Sequence, residues 1–149
     1  MSEYIVAKTV FKKEHVDCLV QALEDVQPQW KGHVEQHETA ANLYGYHGDK
    51  RKDTAHLIVR RQFIGGSSND IGYRVQDDGT VTAVISAFDR GRYDEAWANK
   101  LAQHYAFRVA EKQAAKIGAT ITKSVNPDGT WRVVLQKKEQ KAWAQARRW

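Results

Sequence analysis

Apolar and polar positions recur along this chain with two different periods, and each change of period marks an element. Residues 4–10, Tyr-Ile-Val-Ala-Lys-Thr-Val, mix β-branched and aromatic side chains and predict a first strand. Over residues 12–26 the period lengthens. Val16, Leu19, Val20, Leu23 and Val26 fall at i, i+3, i+4, i+7 and i+10, which predicts a helix with one buried stripe, stopped by Pro28. Cys18 lies off that stripe and is expected on the solvated side, with His15 one turn earlier. Residues 29–54 show no sustained period. Trp30 and Leu43-Tyr44-Gly45-Tyr46 are expected to be partly buried, with a short strand near 42–46 and a mixed-charge loop over 49–53.

Period two then takes over. Strands are predicted over 56–63, 71–76 and 80–88. A Gly/Ser/Asn loop over 64–70 and the tight turn Asp77-Asp78-Gly79 connect them. A long helix is expected from 93 to 117, with Asp94 and Glu95 in its first turn and Gly118 as terminator. Ala98, Leu101, Ala102, Tyr105, Ala106, Val109 and Ile117 would form its buried face. A second hairpin, 120–125 and 130–136, closes on the turn Asn126-Pro127-Asp128-Gly129. Residues 137–149 read as a short basic terminal helix. The order is β-α-β-β-β-α-β-β, plus a C-terminal helix. This is an α+β fold in which two helices cover one face of a mostly antiparallel sheet.

Composition sharpens that picture in three ways. The 149 residues are 42% hydrophobic and 28% charged, which places the chain among soluble globular domains rather than disordered ones. Cys18 is the only cysteine, so no internal disulfide forms and a reducing compartment is expected. No signal segment and no apolar run near the ~20 residues of a membrane span is visible, so the cytoplasm, or a plastid stroma, is the expected location. The net charge of +5 points at first to nucleic acid, but its placement matters. Residues 137–149 carry five positive charges against one Glu, leaving 18 positive and 17 negative charges over residues 1–136. The division expected is a near-neutral domain, 1–136, followed by a basic tail, 137–149.

Few constellations carry chemistry. His33 and His37 stand at i, i+4, and on a helix would face one way as the weak beginnings of a metal site, with Glu38 or His47 as further donors. The loop 64–69 resembles a phosphate cradle in composition but lacks the Lys-Ser/Thr of a P-loop and leads into a strand. Cys18 and His15 lack an orienting acid, and His104 is expected on a solvated helix face. No cofactor and no catalytic set is indicated. Binding surfaces are better candidates. If Leu57, Ile71 and Tyr73 point under the helices, parity sends Arg60 and Arg74 to the opposite sheet face, and Arg132 likewise on the last strand. The tail pairs Lys137, Lys138, Lys141, Arg147 and Arg148 with Trp143 and Trp149, a composition suited to a membrane surface, nucleic acid, a partner groove, or docking on its own domain.

The landmarks also form an ordered set. Val20-Gln21-Ala22-Leu23-Glu24-Asp25, Leu43-Tyr44-Gly45-Tyr46-His47-Gly48, Leu57-Ile58-Val59-Arg60 and Asp70-Ile71-Gly72-Tyr73 come first. Gln103-His104-Tyr105-Ala106-Phe107 and the run from Asp128 to Leu135 follow. In that order, over residues 4–136, the chain resembles the hypothetical chloroplast reading frame thirty-five family, also called domain of unknown function twelve fifty-seven. The resemblance brings no reaction or ligand with it. It implies one partner, an ATPase of the AAA type, beside which some members are encoded. The expected function is a non-enzymatic protein-binding module or adaptor. A nucleic-acid-binding protein using the sheet arginines and tail, and an enzyme or small-ligand sensor, are the alternatives.

Overall fold

The structure is a computed structural model and describes residues 10–137. The strand expected over 4–10 and the tail residues Lys138, Lys141, Trp143, Arg147 and Arg148 lie outside the described residues. The elements are β1 (Phe11–Lys12), α1 (Val16–Val26), β2 (Val34–Tyr44), β3 (Lys50–Val59), β4 (Ile71–Val75), β5 (Thr80–Val84), α2 (Glu95–Lys116), β6 (Ala119–Val125) and β7 (Trp131–Lys137). The fold is α+β and all strand pairs are antiparallel. Two expectations are corrected. Among the described residues four strands, β2–β5, separate the helices rather than the three of the expected order, and the seven strands form two sheets rather than one: β1-β5-β4-β3-β2, and β6-β7. The chain divides into two compact units at Tyr105/Ala106, within α2.

In the first unit the register pairs Leu57 with Tyr73, and Val75 with Val81, so these side chains share one face of the five-stranded sheet. Phe11 links that face to α2, meeting Tyr73 edge-on at 6.1 Å and Tyr105 at 4.8 Å. The Tyr105 hydroxyl accepts the Lys12 amide at 3.0 Å. From α1, Leu19, Ala22, Leu23 and Val26 are fully buried, and so is Cys18 at 1% exposure. Cys18 is therefore not on a solvated face. It stands one turn before Ala22, so the buried stripe is broader than the Val/Leu spacing alone implies.

Trp30 is buried completely, donates Nε1–H to the Phe63 carbonyl at 3.0 Å, and sits 5.7 Å from Tyr93 and 5.9 Å from Trp97. The Pro28–Trp30 turn thus closes α1 and plants the largest core side chain at once.

The opposite sheet face carries a smaller cluster of Leu43, Ala55 and Ile58, with Ala41 and Val84 against it. Gly72 lies beneath it, where a Cβ would stand 2.5 Å from that of Ala55. Glycine is needed there for close approach rather than for a turn. β2 is an edge strand, and between Gln36 and Ala41 it advances five residues while β3 advances two. That bulge bends the edge away from further pairing.

In the second unit β6 and β7 pair along their whole length, from Ala119 with Lys137 to Val125 with Trp131. Phe107 of α2 meets Trp131 edge-on at 5.7 Å. Ala98, Ala106 and Ile117 are exposed, so the buried face of α2 is narrower than expected and centres on Leu101, Tyr105 and Ala114.

Candidate functional site

The histidine pair is not brought together on a helix. His33 and His37 flank the start of β2 instead of sharing a helix, and at ~3.3 Å per residue they stand ~13 Å apart along the chain. His33 stacks on Phe63 with centroids 3.9 Å apart, and His37 Nε2 bonds Glu35 Oε1 at 2.9 Å. Among the described residues the donor atoms that do come together belong to His15, Asp17 and Cys18, within 4.8 Å of one another. They lie at the start of α1, where the helix dipole opposes a cation. His104 is half-buried, not solvated, with Nδ1 3.7 Å from Asp25 Oδ2.

The three strand arginines are divided between the sheets. Arg74 is on β4 of the first sheet and Arg60 follows the last residue of β3, while Arg132 is on β7 of the second sheet. Arg60, 22% exposed, uses all three of its nitrogens internally. Nε and Nη2 grip the two Glu35 oxygens at 3.0 Å each, and Nη1 donates to Asp70 Oδ2 at 2.9 Å and to the Asn42 carbonyl at 3.0 Å. The hydrogen bond from Arg60 holds the Glu35 carboxyl below its ordinary range. Burial opposes the charge of Arg60, but the bonds to Glu35 and Asp70 outweigh it and raise its pKa. Arg74 bonds the Thr54 hydroxyl.

Asp70 is the hub of this face. Its Oδ2 also accepts the Tyr44 amide at 2.8 Å, and its Oδ1 the Arg61 amide at 2.7 Å. Its neighbour Asn69 donates Nδ2–H to Ser86 Oγ and Asp89 Oδ2, and its amide also reaches Asp89. The loop once considered as a phosphate cradle therefore turns its Asn69 and Asp70 amides inward, the latter to the Tyr44 carbonyl at 2.9 Å.

A cleft of about 390 Å³ opens on the helix-covered face, where the β2 bulge parts from β3. Val16, Leu57 and Val75 form its apolar surface, and Lys13, Gln36, His37, Glu38 and His56 stand around it. His56 Nδ1 accepts the Val75 amide at 3.0 Å, a bond the sheet ladder does not supply here.

The β6–β7 hairpin offers a different kind of surface. Ile121, Lys123, Val125, Trp131, Val133 and Leu135 share one face by register, yet Val125, Val133 and Leu135 are 64%, 42% and 49% exposed. Lys123 Nζ lies 3.5 Å from the Trp131 ring centroid. The two strands carry Lys123, Arg132 and Lys137 and no acidic residue.

The chain matches, over residues 22–134, the family described as protein of unknown function (DUF1257). It belongs to that family. No curated protein and no solved structure matches it. The DUF1257 match takes in the Asp70 hub, His56 and most of the hairpin. Among the described residues of this DUF1257 chain, no helix is long and apolar enough to cross a membrane.

The sequence alone did not single out His56 or Lys13, because a histidine in a strand and a lysine before a helix are ordinary; only the β2 bulge brings them to one cleft. His56 has a measurable consequence. Burial, with Arg74 and His37 nearby, pushes its pKa below the ordinary histidine value. The unfolded chain then binds the proton more readily, so stability rises with pH between the folded and unfolded pKa values. Urea unfolding midpoints should fall as pH drops below ~6.5. His56→Asn, whose Oδ1 can still accept the Val75 amide, should flatten that fall.

Proposed function

We propose that the protein is a non-enzymatic binding module whose β6–β7 hairpin engages an acidic, amphipathic segment of a protein partner. The observation that carries this reading is the apolar hairpin face, left open at Val125, Val133 and Leu135 on two strands that carry cations and no carboxylate. A two-stranded hairpin is marginal by itself, so a covering partner gains area and steadies the ladder together. The chain's own tail complements it poorly, since residues 137–149 are basic like the hairpin. An ATPase of the AAA type, the partner implied by the family resemblance, is the first to test.

The test is affinity purification of the full chain beside Leu135→Asp and the double variant Arg132→Glu/Lys137→Glu, with folding checked by circular dichroism. One protein should copurify stoichiometrically with the parent chain and be lost, or reduced at least tenfold, with both variants. Retention of that protein by both would overturn the reading. The same cations support nucleic-acid binding as a second reading. A gel shift at low salt that survives Leu135→Asp but not the charge reversals would favour it over a protein partner.

A further inference from the structure

The cleft between the start of α1 and the β2 bulge lies wholly in the first unit and is independent of the hairpin. Its chemistry is lopsided. Val16, Leu57 and Val75 supply an apolar surface, and the volume of about 390 Å³ is within the range of small-molecule sites. The Val75 amide fixes the His56 tautomer: a nitrogen that accepts a hydrogen bond carries no proton, so neutral His56 bears its proton on Nε2. Nε2–H has no partner among the described residues, and neither has the Lys13 ammonium. Two donors, one of them charged, thus stand over an apolar surface. His37 is already engaged by Glu35. The remaining charge, Glu38, is exposed and forms no ion pair with Lys13.

We propose that this cleft binds a small monocarboxylate with a compact apolar body, aryl or branched alkyl. The carboxylate takes hydrogen bonds from His56 Nε2–H and Lys13 Nζ while the body lies on Val16, Leu57 and Val75. A neutral ligand forfeits the charge-assisted bond to Lys13, and an ammonium is repelled by Lys13 and finds acceptors only in the exposed Gln36 and Glu38 side chains of the rim.

Benzoate, benzyl alcohol and benzylamine are suitable probes, titrated into the full ¹⁵N-labelled chain at pH 7.5. Benzoate should shift the Val75 amide and the His56 ring nitrogens saturably, with benzyl alcohol at least tenfold weaker and benzylamine without saturable effect. His56→Asn preserves the acceptor for Val75 and, being shorter, withdraws the Nε2–H from the carboxylate; Lys13→Met keeps the stem and deletes the charge. Each should weaken benzoate by roughly tenfold or more, the scale of one charge-assisted hydrogen bond. The dispersion of the amide spectrum confirms that each variant is folded. Shifts that stay linear in benzoate, benzylamine binding as tightly as benzoate, or affinity untouched by both variants would each overturn the assignment. Because the hairpin is not involved, Leu135→Asp should leave benzoate binding unchanged.

Discussion

Replacing Asp70 by alanine is expected to destabilise the first unit by about 3–5 kcal/mol, the cost of breaking a buried ion pair from one side. The carboxylate holds two backbone amides from different segments, Tyr44 and Arg61, together with the Arg60 guanidinium. Removing it leaves both amides without an acceptor in a buried setting, each worth about 1–3 kcal/mol. Arg60 suffers less, because Glu35 still grips it through two nitrogens. Urea unfolding followed by circular dichroism measures the loss. Asp70→Asn should cost less than alanine, since one oxygen still accepts. The double variant Arg60→Met/Asp70→Ala should cost less than the sum of its parts, as coupled partners do. A loss below about 1 kcal/mol for Asp70→Ala would mean that water replaces the carboxylate and that this hub is not structural.

Trp30→Ala is the second large effect, about 3–5 kcal/mol for emptying a fully buried aromatic site. The site cannot collapse easily, because Tyr93 and Trp97 pack on the ring from a separate segment. Trp30→Phe separates the terms. It keeps most of the packing and deletes the Nε1–H bond to the Phe63 carbonyl, so about 1–2 kcal/mol is expected. Thermal unfolding of the three chains at one pH makes the comparison. If phenylalanine proved as damaging as alanine, the hydrogen bond rather than the aromatic bulk would hold the Pro28–Trp30 turn.

The sequence disclosed those elements whose side chains have one environment per face. α1, β4 and the turn of the second hairpin follow directly from periodicity and turn chemistry. β2 and the first half of β3 did not. Val34–Tyr44 is mostly polar and Lys50–Asp53 fully charged, because the hairpin they form runs along an exposed sheet edge where alternation has nothing to bury. Its bulge also breaks period two in mid-strand. The charged loop expected over 49–53 is therefore strand from Lys50 onward. Parity along the strands could not show that Glu35 and Asp70 occupy Arg60, since those carboxylates are 25 and 10 residues distant. The second sheet was likewise invisible: a strand pattern shows which faces are apolar, not which neighbour each edge finds.

Both tight hairpins share one small device. The side chain of Asp78 accepts the amide and hydroxyl of Thr80 at 2.9 and 2.6 Å, and Asp128 does the same for Thr130 at 3.0 and 2.6 Å. The hydrogen bonds that close these turns lie within five residues, 76–80 and 126–130, so each can close on the microsecond scale of an isolated hairpin, before distant contacts exist. The pairing of Phe11 with Val81 is the opposite case, joining positions 70 residues apart and waiting on the loop-closure entropy of the chain between them. The two-residue β1 is accordingly expected to join last, completing one edge of a sheet whose other four strands each pair with their neighbour in sequence.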